Sequence, residues 1–360
     1  MRNHSPRRAF TLVELLVVVS IIGLLIGLLL PALGRARRNA QQLRCSSQVR
    51  SLHQACVSWA GDNRELYPTP SVLDRKNVTE AAPASGSAPS KNRTGNIISV
   101  MVFNQLLSLE SVISPSEQNP NIQAMTENEY QFRSPDNVVT FDSQGGTVQA
   151  LWDPDFRGAP NEDQFHTDPP GNADGSATFT PNIGNNSYAH MAIGGARVDF
   201  WSSVTSTSNV AVWGNRGPVY NGEMRPDVGG EWELVEGATG KDSTTLSIHG
   251  GDDSWEGNIG YNDGHVTYET VPNPAEIKYQ MLDNVNEFDR DNLFLDDDNE
   301  YTVTGNGVDP IAQRTNALLR IWRQGIPDFR TQRDATAINE AHLGGQNNGT
   351  SNWIWVDGQE

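Results

Sequence analysis

Residues 7–33 read RRAFTLVELLVVVSIIGLLIGLLLPAL, and this run sets the architecture of the whole 360-residue chain. From Leu15 to Leu30, thirteen of sixteen residues are Leu, Val or Ile. Such a run contributes about −4 to −8 kcal/mol to insertion into a bilayer. As a helix, residues 10–33 would be about 36 Å long, enough to cross the hydrocarbon core with some tilt. We therefore predict a transmembrane helix over residues 10–33.

One acidic residue, Glu14, lies just inside the apolar run. A carboxylate is costly within a membrane, by about 3 kcal/mol at the helix centre, and an ionisable residue there indicates a function and an oppositely charged partner. Two simpler interpretations are a secretory signal, which is cut after its apolar run, and a plain membrane anchor. Neither of them accounts for Glu14.

The same residues resemble the prepilin cleavage and methylation signature of type IV pilins and type II secretion pseudopilins. The resemblance implies that a prepilin peptidase/methyltransferase cuts between Ala9 and Phe10 and N-methylates the Phe10 amine. It also implies that Glu14 pairs with the Phe10 amine of a neighbouring pilin or pseudopilin subunit. Ala9 departs from the Gly that is usual before the cut, but it is also small. Residues 1–9 are accordingly expected to be a cleaved leader.

Pro31 follows the apolar run directly. A proline within a helix removes one backbone hydrogen bond and bends the helix. The resemblance places a helix-bending proline at this position and so counts Pro31 among the residues that shape assembly. The alternative is that the helix ends here, at the membrane surface.

An amphipathic helix is predicted to extend over residues 34–60 and to stop at residues 61–63, Gly-Asp-Asn. Its apolar face repeats at intervals of four, three, four and three residues. The two cysteines on this face are eleven residues apart, about 16 Å along a straight helix, which is too far for a disulfide. We expect packing roles for them, with an intersubunit contact as the alternative. The face consists of Cys45, Val49, Leu52, Cys56 and Trp59.

Charge separates the start of the chain from the rest. Residues 1–60 contain eight Arg and one acid, a net charge of +7. Since the net charge of the whole chain is −18, residues 61–360 carry a net charge of −25. An acidic body behind a basic membrane segment is typical of a soluble extracytoplasmic head. It argues against nucleic-acid binding, which favours a basic surface. The acidity serves solubility or, alternatively, binds cations.

The head, residues 61–360, is expected to be rich in loops and antiparallel strands, since the chain has 33 Gly and 20 Pro. Residues 79–95, TEAAPASGSAPSKNRTG, predict a flexible loop, and residues 153–186 predict a second long loop. Residues 208–214, SNVAVWG, predict a buried strand.

A β-hairpin is predicted around Asn262-Asp263-Gly264, because an Asp-Gly corner lies between two alternating runs. The region resembles the C-terminal His…Asp-Gly element of pilin-like proteins abundant in planctomycetes. Here His249 lies fourteen residues before Asp263, a longer spacing than is usual in that group. One hypothesis is that His249, Asp263 and His265 form a metal or acid–base cluster. The alternative is that they are ordinary residues of a hairpin and its surroundings, without a shared site.

Residues 283–300, DNVNEFDRDNLFLDDDNE, form an acidic run. Calcium binds about six to eight oxygen ligands, so clustered carboxylates suit it, although Leu293 and Phe294 occupy positions where an EF-hand needs an oxygen ligand and Gly. Some pseudopilins carry a calcium loop near the C-terminus. A solvated acidic loop without a cofactor is the first interpretation, and calcium binding is the alternative. The proposed ligands are Asp289, Asp291, Asp296, Asp297, Asp298 and Glu300.

The tail is predicted to hold a helix over residues 315–324 and a docked final strand around residues 352–355, Asn-Trp-Ile-Trp, with a contact surface as the alternative for the two Trp residues. The sequence contains no nucleotide-binding loop, nucleophile elbow or Cys–His constellation, which favours a protein that is not an enzyme.

The expected fold is α+β and pilin-like: a long N-terminal transmembrane α-helix packed on a largely antiparallel β head with long loops. The resemblance implies a single-pass protein of the inner (cytoplasmic) membrane, with a cytoplasmic N-terminus before cleavage and a periplasmic or cell-surface head. Its function would be that of a subunit of a type IV pilus or pseudopilus. The alternative is a membrane-anchored extracytoplasmic binding protein or hydrolase that uses the pilin signal only for export.

Overall fold

The computed structural model covers the long N-terminal helix and most of the β head. The residues that it describes are 12–80, 91–132, 149–160, 183–193, 197, 200–225, 229–251, 254–280, 288–295, 303–304, 307–308, 317–322 and 353–354.

The helix α1 runs without a break from Leu12 to Asp62, 51 residues, or about 76 Å at 1.5 Å per residue. Pro31 lies inside it, so the alternative of a helix end at Pro31 is wrong. The predicted stop is confirmed: Asn63 Nδ2 donates a hydrogen bond to the Trp59 carbonyl at 2.8 Å. The chain then turns away through Arg64 and Glu65, whose φ angles of 57° and 62° are left-handed.

A six-stranded antiparallel sheet forms the centre of the head, in the order β12-β11-β1-β2-β5-β6. The helix packs against one face of this sheet, over β2, β5 and β6. The strands are β1 Tyr188–Met191, β2 Ala211–Asn215, β5 Gly257–Tyr261, β6 Val266–Glu269, β11 Leu319–Trp322 and β12 Trp353–Ile354.

Shorter elements surround this sheet. Three two-stranded antiparallel ladders pair β3 with β4, β7 with β8, and β9 with β10. The α+β architecture, a long helix on a largely antiparallel head, is therefore confirmed. The bounds are α2 Pro70–Leu73, α3 Thr94–Phe103, a 3₁₀ helix Leu109–Val112, β3 Tyr220–Arg225, β4 Gly229–Leu234, β7 Lys278–Gln280, β8 Phe288–Arg290, β9 Val303–Thr304 and β10 Gly307–Val308.

The predicted hairpin is β5–β6. Its turn is closed by hydrogen bonds from Gly264 N to the Tyr261 carbonyl at 2.9 Å and from Tyr261 N to the His265 carbonyl at 3.0 Å. Gly264 has a φ of +88°, a left-handed conformation that glycine adopts without steric cost. The buried strand predicted at residues 208–214 is β2, and the predicted final strand is β12.

The predicted helix at residues 315–324 is wrong, because Leu319–Trp322 form strand β11. All four of its residues are buried, and it lies between β1 and β12. Pairing on both sides satisfies the strand's backbone groups and overrides the helix-like spacing of its apolar residues.

The predicted flexible loop of residues 79–95 is wrong for residues 91–95, which are buried. The Lys91 ammonium, fully buried, donates to Asp74 Oδ2 at 2.8 Å, the Asp74 carbonyl at 2.8 Å and Asn77 Oδ1 at 2.7 Å. Asp74 in turn accepts from the backbone N–H groups of residues 78–80. This satisfied ion pair holds the chain in place just before α3.

Candidate functional site

The first part of α1, residues 12–33, is an apolar rod whose surface is not buried by the head. Every side chain from residue 12 to residue 33 is exposed, from Leu12 at 81% to Leu33 at 67%. By length and composition the helix can cross a membrane. So large an apolar surface is stable only in lipid or against other apolar surfaces.

Glu14 lies on the exposed surface in the first turn of α1, inside the apolar rod. Pro31 lies near the rod's other end. Ala9 and Phe10 lie outside the described residues. Cleavage between them and the pairing of Glu14 with a neighbour's Phe10 amine therefore remain predictions.

The second part of α1 is buried in the head, as the predicted amphipathic face requires. Cys45, Val49, Leu52 and Cys56 are completely buried, whereas Trp59 is half-buried. Burial of a large apolar side chain such as Val49 or Leu52 stabilises the folded state by about 1.5–3 kcal/mol. The helix is thus a rod at one end and a core element of the head at the other.

Gln48 ties α1 to two parts of the head. Its Nε2 donates to the Glu110 carbonyl at 3.2 Å and to the Ile113 carbonyl at 3.0 Å. Its Oε1 accepts from the Tyr188 hydroxyl of β1 at 2.9 Å. Sequence reasoning missed this residue, although it lies three positions after Cys45 on the face that was recognised.

The two cysteines are free and buried. The Cys45 thiol lies 3.4 Å from the Tyr188 hydroxyl and 3.4 Å from Asn215 Oδ1. The Cys56 thiol lies 3.6 Å from the Met101 sulfur of α3. Burial raises the pKa of Cys45 above its usual value and that of Cys56 to about 12. Both thiols therefore remain protonated and act as packing residues, as expected.

His53 joins α1 to the β5–β6 turn through a buried chain of hydrogen bonds. Its Nε2 lies 3.2 Å from the Tyr67 hydroxyl, which donates to Asn262 Oδ1 at 2.8 Å. Asn262 Nδ2 donates to the carbonyls of Phe200, Ser202 and Thr205. Desolvation lowers the pKa of His53. His53 was not singled out from the sequence, although it follows Val49 by four residues on the buried side.

His249, Asp263 and His265 have separate roles rather than one shared site. Asp263 Oδ1 and His265 Nδ1 are 2.5 Å apart at the hairpin turn, where the His265 ring stacks on Tyr261. His249 instead packs edge-on against Tyr268. Within the described residues, no group of three or more His, Cys, Asp or Glu converges as metal ligands.

The acidic run lies only in part within the described residues. Asp289 belongs to β8, and Asp291 follows that strand. Asp291 is fully buried, and its Oδ2 accepts a hydrogen bond from Ala317 N at 2.5 Å, a structural role. Calcium binding by the run remains a prediction, which a chelator tests by its effect on the melting temperature. Asp296, Asp297, Asp298 and Glu300 lie outside the described residues.

Comparison with known proteins gives two similarities. Residues 4–30 match the family described as the prokaryotic N-terminal methylation motif. The chain is also similar to the type II secretion system core protein G of Escherichia coli (strain K12), with 32% identity over 97 residues. That alignment covers 27% of this chain and 66% of the relative's length. No solved structure matches the chain significantly.

Proposed function

We propose that this chain, a pilin-like protein by its N-terminal motif and its fold, is a structural subunit of a type IV pilus or pseudopilus filament. A prepilin peptidase removes residues 1–9, and the new Phe10 amine is N-methylated. The subunit waits in the membrane and is then drawn into a filament with other pilin or pseudopilin subunits. The relative's name places that protein in a type II secretion system, which supports the pseudopilus form.

The division of α1 into two parts is the observation that carries this proposal. Residues 12–33 expose only a continuous apolar surface apart from Glu14 and a few small residues, while the same helix is locked into the sheet from Cys45 onward. In the membrane, lipid covers the rod. In a filament, the rods of neighbouring subunits cover one another, and each rigid helix carries its head to the outside.

Glu14 supplies the polar contact in that packing. It lies four residues after Phe10, so a neighbour shifted along the filament by about one helical turn, 5.4 Å, brings its amine level with this carboxylate. An opposite charge offsets much of the cost of holding a carboxylate in an apolar environment. Pairing of this kind also favours one axial offset between subunits over others.

The membrane in this proposal is the inner (cytoplasmic) membrane. The leader with Arg2, Arg7 and Arg8 faces the cytoplasm, where the peptidase acts, and the acidic head lies in the periplasm or at the cell surface. Arginines flank the apolar run on both sides, so the charge rule for loops does not fix the orientation. The cleavage motif is what supports it.

Isolation of sheared filaments from native cells tests the proposal. An antibody against the head should detect the chain in the filament pellet and decorate filaments by electron microscopy. Detection only as dispersed monomers in the membrane fraction would contradict it. That result would favour the alternative, an anchored binding protein or hydrolase that uses the signal only for export.

A further inference from the structure

Three arginines, Arg35, Arg37 and Arg38, form what we call the arginine belt, between the apolar rod and the head. All three side chains are exposed. At about 100° of rotation per residue, Arg37 projects on nearly the opposite side of the helix from Arg35, and Arg38 projects between them. One flat protein surface cannot engage both sides of the helix at once, whereas a lipid layer surrounds it.

The height of the belt matches a membrane surface. Residues 12–33 form about 33 Å of helix, close to the roughly 30 Å thickness of a hydrocarbon core. The belt follows at once and occupies only about 4.5 Å along the axis. The headgroup region beyond the core is roughly 5–7 Å deep on each side. With the rod in the core, the three guanidinium groups therefore lie in the headgroup layer.

The arginine belt has no neutralising partner within the described part of the chain. No acidic residue occurs on α1 between Glu14 and Asp62. No ion pair among the described residues involves the belt. Among the described residues, the first hydrogen bond after the belt that joins α1 to the head is from Gln41, whose Nε2 donates to the Pro115 carbonyl at 3.1 Å. The belt therefore lies below the head, open to the membrane surface.

We propose that the arginine belt binds the phosphate headgroups of anionic phospholipids in the leaflet on the head side of the membrane. Guanidinium groups bind phosphate oxygens through paired, charge-assisted hydrogen bonds. Each arginine near an anionic membrane surface raises the association constant with that surface about fivefold. The belt also holds the head, which carries −25 over residues 61–360, against a surface that would otherwise repel it. The inference requires only that α1 is anchored in a membrane, and does not depend on cleavage or filament assembly.

Electron paramagnetic resonance of spin-labelled lipids tests this with the full chain reconstituted in liposomes. Wild type should favour spin-labelled phosphatidylglycerol over phosphatidylcholine by about fivefold, the effect of one guanidinium on one headgroup. The triple variant Arg35→Gln/Arg37→Gln/Arg38→Gln should lose this preference, whereas the triple Lys variant should keep most of it. Arg50→Gln is the matched control. Arg50 is exposed on the same helix, about 18 Å beyond Arg38, which exceeds the Debye length of about 8 Å.

Equal association of both lipids with wild type would overturn the proposal, as would a triple Gln variant that keeps the full preference. A loss of preference in Arg50→Gln equal to that of the triple variant would also overturn it, since the effect would then not belong to the belt. If the triple Gln variant inserts poorly into liposomes, the salt dependence of the lipid preference of wild type tests the proposal instead. Raising the salt from about 0.05 M to about 0.5 M should remove most of the preference, and an unchanged preference would contradict the proposal.

Discussion

Val49 of α1 lies directly over Gly260 of β5: a Cβ built on Gly260 would come within 2.9 Å of Val49 Cγ1. Both residues are fully buried. The close approach brings the helix backbone down onto the sheet between β2 and β6. It thereby helps to fix the direction in which the apolar rod leaves the head.

Gly260→Ala should push α1 away from the sheet. The added methyl group has to displace a fully packed valine, and overpacking of this kind costs about 1–3 kcal/mol. We expect a lower free energy of unfolding for the full chain in detergent, measured with urea. The double variant Val49→Ala/Gly260→Ala should recover part of the loss.

Gly61→Ala is the control for this experiment, since nothing lies within 4 Å of a Cβ at that position of the same helix. It should be neutral or slightly stabilising, because alanine favours a helix. Equal losses in both variants would show that the contact with Val49 is not the cause.

Lys91→Met should strongly destabilise the head, because it leaves the Asp74 carboxylate buried without its cation. Both side chains are at most 1% exposed and are 2.8 Å apart. Removal of one partner of a buried pair costs about 3–5 kcal/mol. The double variant Lys91→Met/Asp74→Asn should be less destabilised than the single one, as measured by urea unfolding. A single variant as stable as wild type would contradict the role given to this pair.

The free energy of unfolding should fall as the pH drops below about 6.5. Burial lowers the pKa of His190 to about 3 and that of His249 to about 4, so each imidazole stays neutral in the folded chain while it becomes protonated in the unfolded one. Each such histidine removes about 1.4 kcal/mol per pH unit between its unfolded and folded pKa values.

Urea unfolding at several pH values between about 4.5 and 7.5 measures this dependence. His190→Gln can keep both contacts of the imidazole, with the Thr94 hydroxyl and the Met191 carbonyl. It should therefore reduce the slope by about one proton, and His249→Gln should do the same if the His190 variant does not fold. Slopes identical to wild type in both variants would refute the assignment.

Glu14→Ala should leave the chain in the membrane but impair filament assembly. The substitution removes a charge from the apolar rod, so insertion becomes easier, while the proposed partner of the Phe10 amine is lost. Glu14→Asp should retain part of the assembly. Western blots of membrane and sheared filament fractions measure both effects, and normal filaments from Glu14→Ala would count against pairing.

Local sequence patterns were enough to predict the elements that depend mainly on their own residues, such as the apolar helix and the β5–β6 turn. The thirteen aliphatic residues from Leu15 to Leu30 predict the apolar helix, and Asp263-Gly264 predicts the β5–β6 turn. The order of the sheet could not be predicted in this way. β1 pairs with β11 through His190 and Arg320, which are far apart in the chain, and no local pattern specifies that partner.

The burial of several polar residues was also not predicted from the sequence. Lys91 lies in a stretch with the composition of a loop, and its burial depends on acceptors supplied by residues 74–77. Gln48 and His53 lie on the buried side of α1 because the head offers them hydrogen-bond partners. A count of apolar residues along one face does not reveal such partners. The cleavage and assembly residues, in contrast, remain predictions that rest on resemblance and not on geometry.

Intact-mass and N-terminal fragment analysis of the chain purified from native membranes shows whether the leader is removed and Phe10 is methylated. We expect a mature chain that begins at Phe10 with one methyl group on its amine. A chain that still begins at Met1, or one cut after Ala32, would contradict the account, because no Phe10 amine would then exist to pair with Glu14.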